Sequence, residues 1–183
     1  MKLRLVVILL AIFTLSLAAS AQDKPALDLK VYPGGESSME INMGNEDILP
    51  MLKAMLPMLS GKMGAVLDKL DPNDLAAILK DVTQIEMIQV DISKSGVAEK
   101  DVADFYGKNI PAGQWNRVFW QAAPTGTVAV YSQAGAEALY GFRVRTIKNG
   151  EQTVKRAEVA KIQGKIDYVK LIQLAGKLGL DKK

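Results

Sequence analysis

The pair Asn149-Gly150 constrains this chain more than any other two residues. A two-residue hairpin turn needs positive φ at both central positions, and Asn-Gly supplies it readily. Lys148-Asn149-Gly150-Glu151 stands between strand-like runs at Leu139 to Ile147 and at about Gln152 to Gln163, which predicts an antiparallel hairpin. Upstream, Trp115, Val118 and Trp120 predict one strand, and Val128, Val130 and Tyr131 the next. From Trp115 onward the pattern is a meander.

Before Trp115 the pattern is mostly helical. A first helix is predicted from about Asp47 to Leu70, with Glu46 and Asp47 at its N-terminus, where free N–H groups attract negative charge. Pro57, Gly61 and Gly64 should break it into two segments. Asp71-Pro72-Asn73-Asp74 opens the next helix, with Asp71 as cap and Pro72 in the first helical position. Ile85 to Ile92 reads as a buried strand, Val97 to Ile110 as an amphipathic helix, and Asp167 to about Leu178 as a closing amphipathic helix. This order predicts an α+β fold. Four to five antiparallel strands would carry packed helices, with a helical segment before them and an amphipathic helix after them. No long linker interrupts residues 46–183, so they are expected to form one domain, preceded by a polar, mobile segment over 22–45.

The first 21 residues have the order of a secretory signal: Lys2 and Arg4, an apolar run from Leu5 to Leu17, then Ala19-Ser20-Ala21. The run is shorter than the roughly 20 residues that a spanning helix needs. Cleavage is therefore expected after Ala21, with no transmembrane segment left and a periplasmic or secreted destination. Removing 21 of the 183 residues leaves 162, enough to bury a core without staples. The chain contains no cysteine, which excludes disulfides, thiolate metal sites and a lipid-anchored cysteine. It also contains no histidine, which excludes hydrolases of the usual His-dependent kinds. No catalytic motif and no cofactor is indicated.

Charge is divided unevenly. Residues 22–137 hold 10 basic and 16 acidic side chains, and residues 138–183 hold 11 basic and 4 acidic. A basic C-terminal part suits an anionic partner, or attraction between the two parts of one fold. Nucleic acid is a poor partner for an exported chain.

Several stretches carry a family likeness: Ile88-Gln89-Val90, Gln114-Trp115, Val128-Ala129-Val130-Tyr131, Leu139-Tyr140-Gly141-Phe142, and Ile162-Gln163-Gly164-Lys165-Ile166-Asp167 before a Leu-rich helix. On these, residues 85–178 resemble the bacterial family catalogued as domain of unknown function 4252. The resemblance implies a small exported bacterial protein and implies no catalytic residues. The Met-rich segment before Leu70 departs from the pattern.

That segment repeats Leu49-Pro50-Met51-Leu52 as Leu56-Pro57-Met58-Leu59. Met51, Met55 and Met58 fall on one helical face, where thioethers would suit Cu(I). Methionines also fill irregular cores and adaptable interfaces. Leu52, Met55, Leu56 and Leu59 belong to a stretch that is apolar nearly all round. Such a helix is buried in its own domain, against an apolar ligand, or against a second copy or partner.

On the sheet, Arg143 and Arg145 share a face opposite Tyr140, Phe142 and Val144. With Arg156 across from them, three guanidinium groups would converge on an anion, or form a solvated row. Trp115, Trp120 and Tyr131 read as cross-strand packing. The expected function is therefore binding, of a protein partner or an anionic or apolar envelope component. Carriage of a hydrophobic ligand on residues 47–70 is the alternative, and Met-based copper binding a third reading.

Overall fold

The computed structural model describes residues 27–48, 50–51, 71–123, 126–133, 137–149, 152–167, 170 and 173. Six strands form one antiparallel sheet: β1 (Glu36–Gly44), β2 (Asp81–Asp91), β3 (Trp115–Ala123), β4 (Gly126–Gln133), β5 (Ala138–Asn149) and β6 (Gln152–Lys165). Their order in the sheet is β1-β2-β6-β5-β4-β3. Helices α1 (Pro72–Leu79) and α2 (Glu99–Lys108) and a 3-10 turn at Ser93–Ser95 are short.

The expected α+β fold is thereby corrected to a mainly-β one. Strand β1 was hidden by its Ser- and Glu-rich composition. Its apolar residues Met39, Ile41 and Met43 nevertheless alternate, and Ile41 and Met43 are buried. β2 begins at Asp81 rather than near Ile85, because Val82 is also drawn fully inside. The polar segment expected over 22–45 thus contains a strand, while residues 27–32 run without regular structure. The signal-like residues 1–21 and most of the predicted helices over 47–70 and 167–178 lie outside the described residues.

The chain falls into two compact units. One contains residues 43–84 and 163–183. In it the Asp71 carboxylate accepts from the Asn73 N–H at 2.8 Å and caps α1, with Pro72 at the helix start. Ile48, Ile78, Leu79, Val82 and Ile166 are buried. The Asp167 carboxylate accepts from the Lys170 N–H at 3.1 Å. Gly164 has φ +99°, and a Cβ there would meet the Asp81 carbonyl at 2.2 Å, so the chain can pass only as glycine.

The other unit includes residues 27–42 and 85–162. Its core packs Val102, Ala103 and Tyr106 of α2 with Ile88, Val90, Ile92, Tyr140, Phe142, Val144, Ala157 and Val159 from alternate strand positions. Leu29 joins this core, and Tyr32 meets the Phe105 ring edge-on at 5.1 Å. The residues 27–32 are further held by a buried ion pair, Lys161 with Glu86, in which Asp28 takes part. Trp115, Trp120 and Tyr131 pack on Tyr140 and Phe142, and Arg117 lies 5.4 Å over the Trp120 ring. The cross-strand reading of these aromatics matches that packing. Among the described residues no helix is long and apolar enough to cross a membrane.

Candidate functional site

Strict alternation along β5 decides what its arginines face. Tyr140, Phe142 and Val144 enter the core, so Arg143 and Arg145 project from the opposite side of the strand. There they meet Glu158 of β6, the strand beside β5 in the sheet. Arg143 Nε donates to Glu158 Oε2 at 2.6 Å, and Arg145 Nη2 donates to Oε1 at 2.6 Å. Arg143 Nη2 lies 2.5 Å from Oε2 but out of line for a hydrogen bond. One carboxylate, with its side chain 3% exposed, is thus gripped by two cations that are 16% and 27% exposed.

A carboxylate that deep is tolerable only because both oxygens are matched. The converse does not hold. Each guanidinium has five N–H donors, and Glu158 occupies a minority of them. Arg145 Nε and Arg156 Nε are buried without a hydrogen-bond partner. Burial pushes the Arg143 guanidinium below its ordinary value, with Glu158 pulling the other way and Arg145 adding to the fall. Arginine remains charged throughout the biological range regardless.

Arg156 is two residues from Glu158 on β6 and so shares its face. The Asp91 carboxylate feels its charge and is itself held below the usual carboxylate range, chiefly by hydrogen bonds from Ser93. The three arginines predicted as an anion site therefore occupy one side of the sheet. Two of them already hold an internal carboxylate.

Beside the pair runs a groove of about 490 Å³, lined in part by Gln121, Ala123, Val128, Arg143, Arg145 and Ile147. Register explains its floor. Gln121 pairs with Val128, and Val128 pairs with Arg143, so the three form a row across β3, β4 and β5. Gly126 closes one end with φ +133°; a Cβ there would meet the Val144 carbonyl at 2.2 Å and Arg145 Cα at 3.0 Å. Only glycine lets the start of β4 lie this close to β5.

The comparisons add no relative: the chain matches no protein-family model, no curated protein and no solved structure.

Glu158 is the participant that sequence reasoning missed. Counting back from a turn centred on Asn149-Gly150 sets Arg143 opposite Arg156. In the structure Arg143 and Arg145 both reach Glu158 of β6 instead. Of the Met-based candidates, Met51 is helical and half-buried. Leu52, Met55, Leu56, Met58 and Leu59 lie outside the described residues. Among the described residues no three His, Cys, Asp or Glu side chains cluster to hold a metal.

Proposed function

We propose that this is an exported, non-enzymatic binding protein of the bacterial cell envelope, and that it recognises an anionic group at the Arg143–Arg145 groove. Kinship with the domain of unknown function 4252 over residues 85–178 belongs to the same proposal, as does removal of residues 1–21. One observation carries the reading: two guanidinium groups are fixed by a single buried carboxylate at the wall of an open groove. Guanidinium forks match carboxylate and phosphate oxygens in pairs. Held by Glu158, the forks are ordered before a ligand arrives, which lowers the entropy lost on binding.

The test is direct. The purified protein is titrated with acetate and inorganic phosphate while backbone and arginine Nε–H signals are followed by NMR. Binding should shift Arg143 and Arg145, weaken as salt rises, and fall about tenfold or more in Arg145→Gln, which removes one charge-assisted donor worth roughly 1.5–3 kcal/mol. Anion-independent spectra would remove the site.

A further inference from the structure

We propose that the ligand is an amphiphilic monoanion, a long-chain carboxylate whose head meets Arg143 and Arg145 and whose chain lies over Val128 and Ala123. The inference rests on the anion-binding reading and narrows it to a ligand class.

Charge selects the head. At the groove wall two guanidinium groups, Arg143 and Arg145, stand against one carboxylate, Glu158, leaving that cluster a charge of +1. A single negative charge neutralises that sum, whereas a phosphate dianion overshoots it and meets the buried Glu158 carboxylate at short range. The flat edge of a guanidinium also pairs with the two oxygens of a carboxylate.

Shape and lining select the tail. About 490 Å³ lies within the range of small-molecule sites. The groove floor changes character along its length: Arg143 on β5, then Val128 directly opposite it on β4, then Gln121 opposite that on β3. With strands about 4.8 Å apart, the row spans roughly 10 Å. Ala123 and Ile147 widen the apolar part. Cation, apolar stretch and terminal amide follow in that order. A head with a chain attached fits this gradient, and a bare ion leaves most of it wet.

The experiment uses the purified full chain and a ligand series rather than a variant alone. Laurate, butyrate, dodecyltrimethylammonium and inorganic phosphate are each titrated below their aggregation limits, with arginine Nε–H and Val and Ile methyl signals followed by NMR. Laurate should shift Arg143, Arg145 and the Val128 methyls together. It should bind about tenfold or more tightly than butyrate, since its longer chain takes apolar CH₂ groups out of water that butyrate lacks. The cationic amphiphile should leave the arginine signals in place. Equal affinity for laurate and butyrate would overturn the amphiphile while leaving the anion reading intact. Preference for phosphate over both carboxylates would do the same. Absence of any shift with all three anions would overturn both. In Val128→Asp, laurate affinity should collapse more than butyrate affinity, and an equal loss of both would count against a chain lying on β4.

Discussion

Lys161 Nζ lies 2.5 Å from Asp28 Oδ2, joining positions 133 residues apart. Glu86 completes the group: its Oε1 is 3.5 Å from Lys161 Nζ, and its Oε2 accepts from the Asp28 N–H at 2.9 Å. The Lys161 and Glu86 side chains are 7% and 4% exposed, and that of Asp28 65%. Lys161 and Glu86 are therefore the pair that must remain matched, while Asp28 sits at the rim. Lys161→Met leaves a carboxylate buried without its cation and should cost about 3–5 kcal/mol. Asp28→Asn should cost no more than about 1 kcal/mol, because water screens its half of the contact. Urea unfolding midpoints compare the two. The double variant Glu86→Gln with Lys161→Met should recover part of the single-variant loss, and equal damage from Asp28→Asn and Lys161→Met would contradict this division of roles.

Glu158 plays the corresponding part on the other side of the sheet. Glu158→Gln leaves Arg143 and Arg145 adjacent with no charge between them, and a loss of about 3 kcal/mol is expected. Arg145→Gln keeps the Arg143–Glu158 contact and removes the more exposed partner, so about 1 kcal/mol is expected. Chemical denaturation of both variants checks the ranking. A reversed order would mean that Arg145, rather than the carboxylate, holds the cluster.

Gly126 offers a test of the groove itself. Gly126→Ala places a methyl carbon 2.2 Å from the Val144 carbonyl at a φ of +133°. The backbone of β4 must move away from β5 or the residue must leave that φ region, and strain of this kind costs of order 1–3 kcal/mol. The Val144 and Arg145 amide resonances should shift most. A variant with unchanged melting temperature and unchanged spectra would show that the close approach is not required.

How much of this was legible in the sequence depended on whether the signal was local. Asp71-Pro72 announces a helix start through its own side chain and ring, and the structure places the cap there. The alternation of Tyr140, Phe142 and Val144 against Arg143 and Arg145 is likewise a property of one strand. β1 escaped because its three apolar residues are outnumbered by Glu, Ser and Asn, and its burial depends on strands far along the chain. Glu158 escaped because the β6 residue that meets the β5 arginines is set by pairing between two strands, not by the periodicity of either one. The Asp28–Glu86–Lys161 group joins three distant stretches and has no local signature at all.

Alkaline pH probes the core through its tyrosines. Tyr106 and Tyr140 are each 1% exposed, and Tyr140 Oη donates to the Tyr106 carbonyl at 3.2 Å. Burial pushes both phenols well above their ordinary value, with Tyr106 and Tyr131 adding to the effect on Tyr140. A phenol whose folded pKa is raised contributes stability that is complete below the unfolded value of about 10. Above that pH the unfolded chain releases protons that the folded chain retains, so stability falls by up to about 1.4 kcal/mol per pH unit for each such residue. Of the five tyrosines, Tyr106 and Tyr140 should gain tyrosinate absorbance only in step with loss of the circular dichroism signal. Tyr140→Phe should move the alkaline unfolding midpoint to higher pH. If all five ionised together near pH 10 while the circular dichroism stayed native, Tyr106 and Tyr140 could not be sealed between α2 and the sheet.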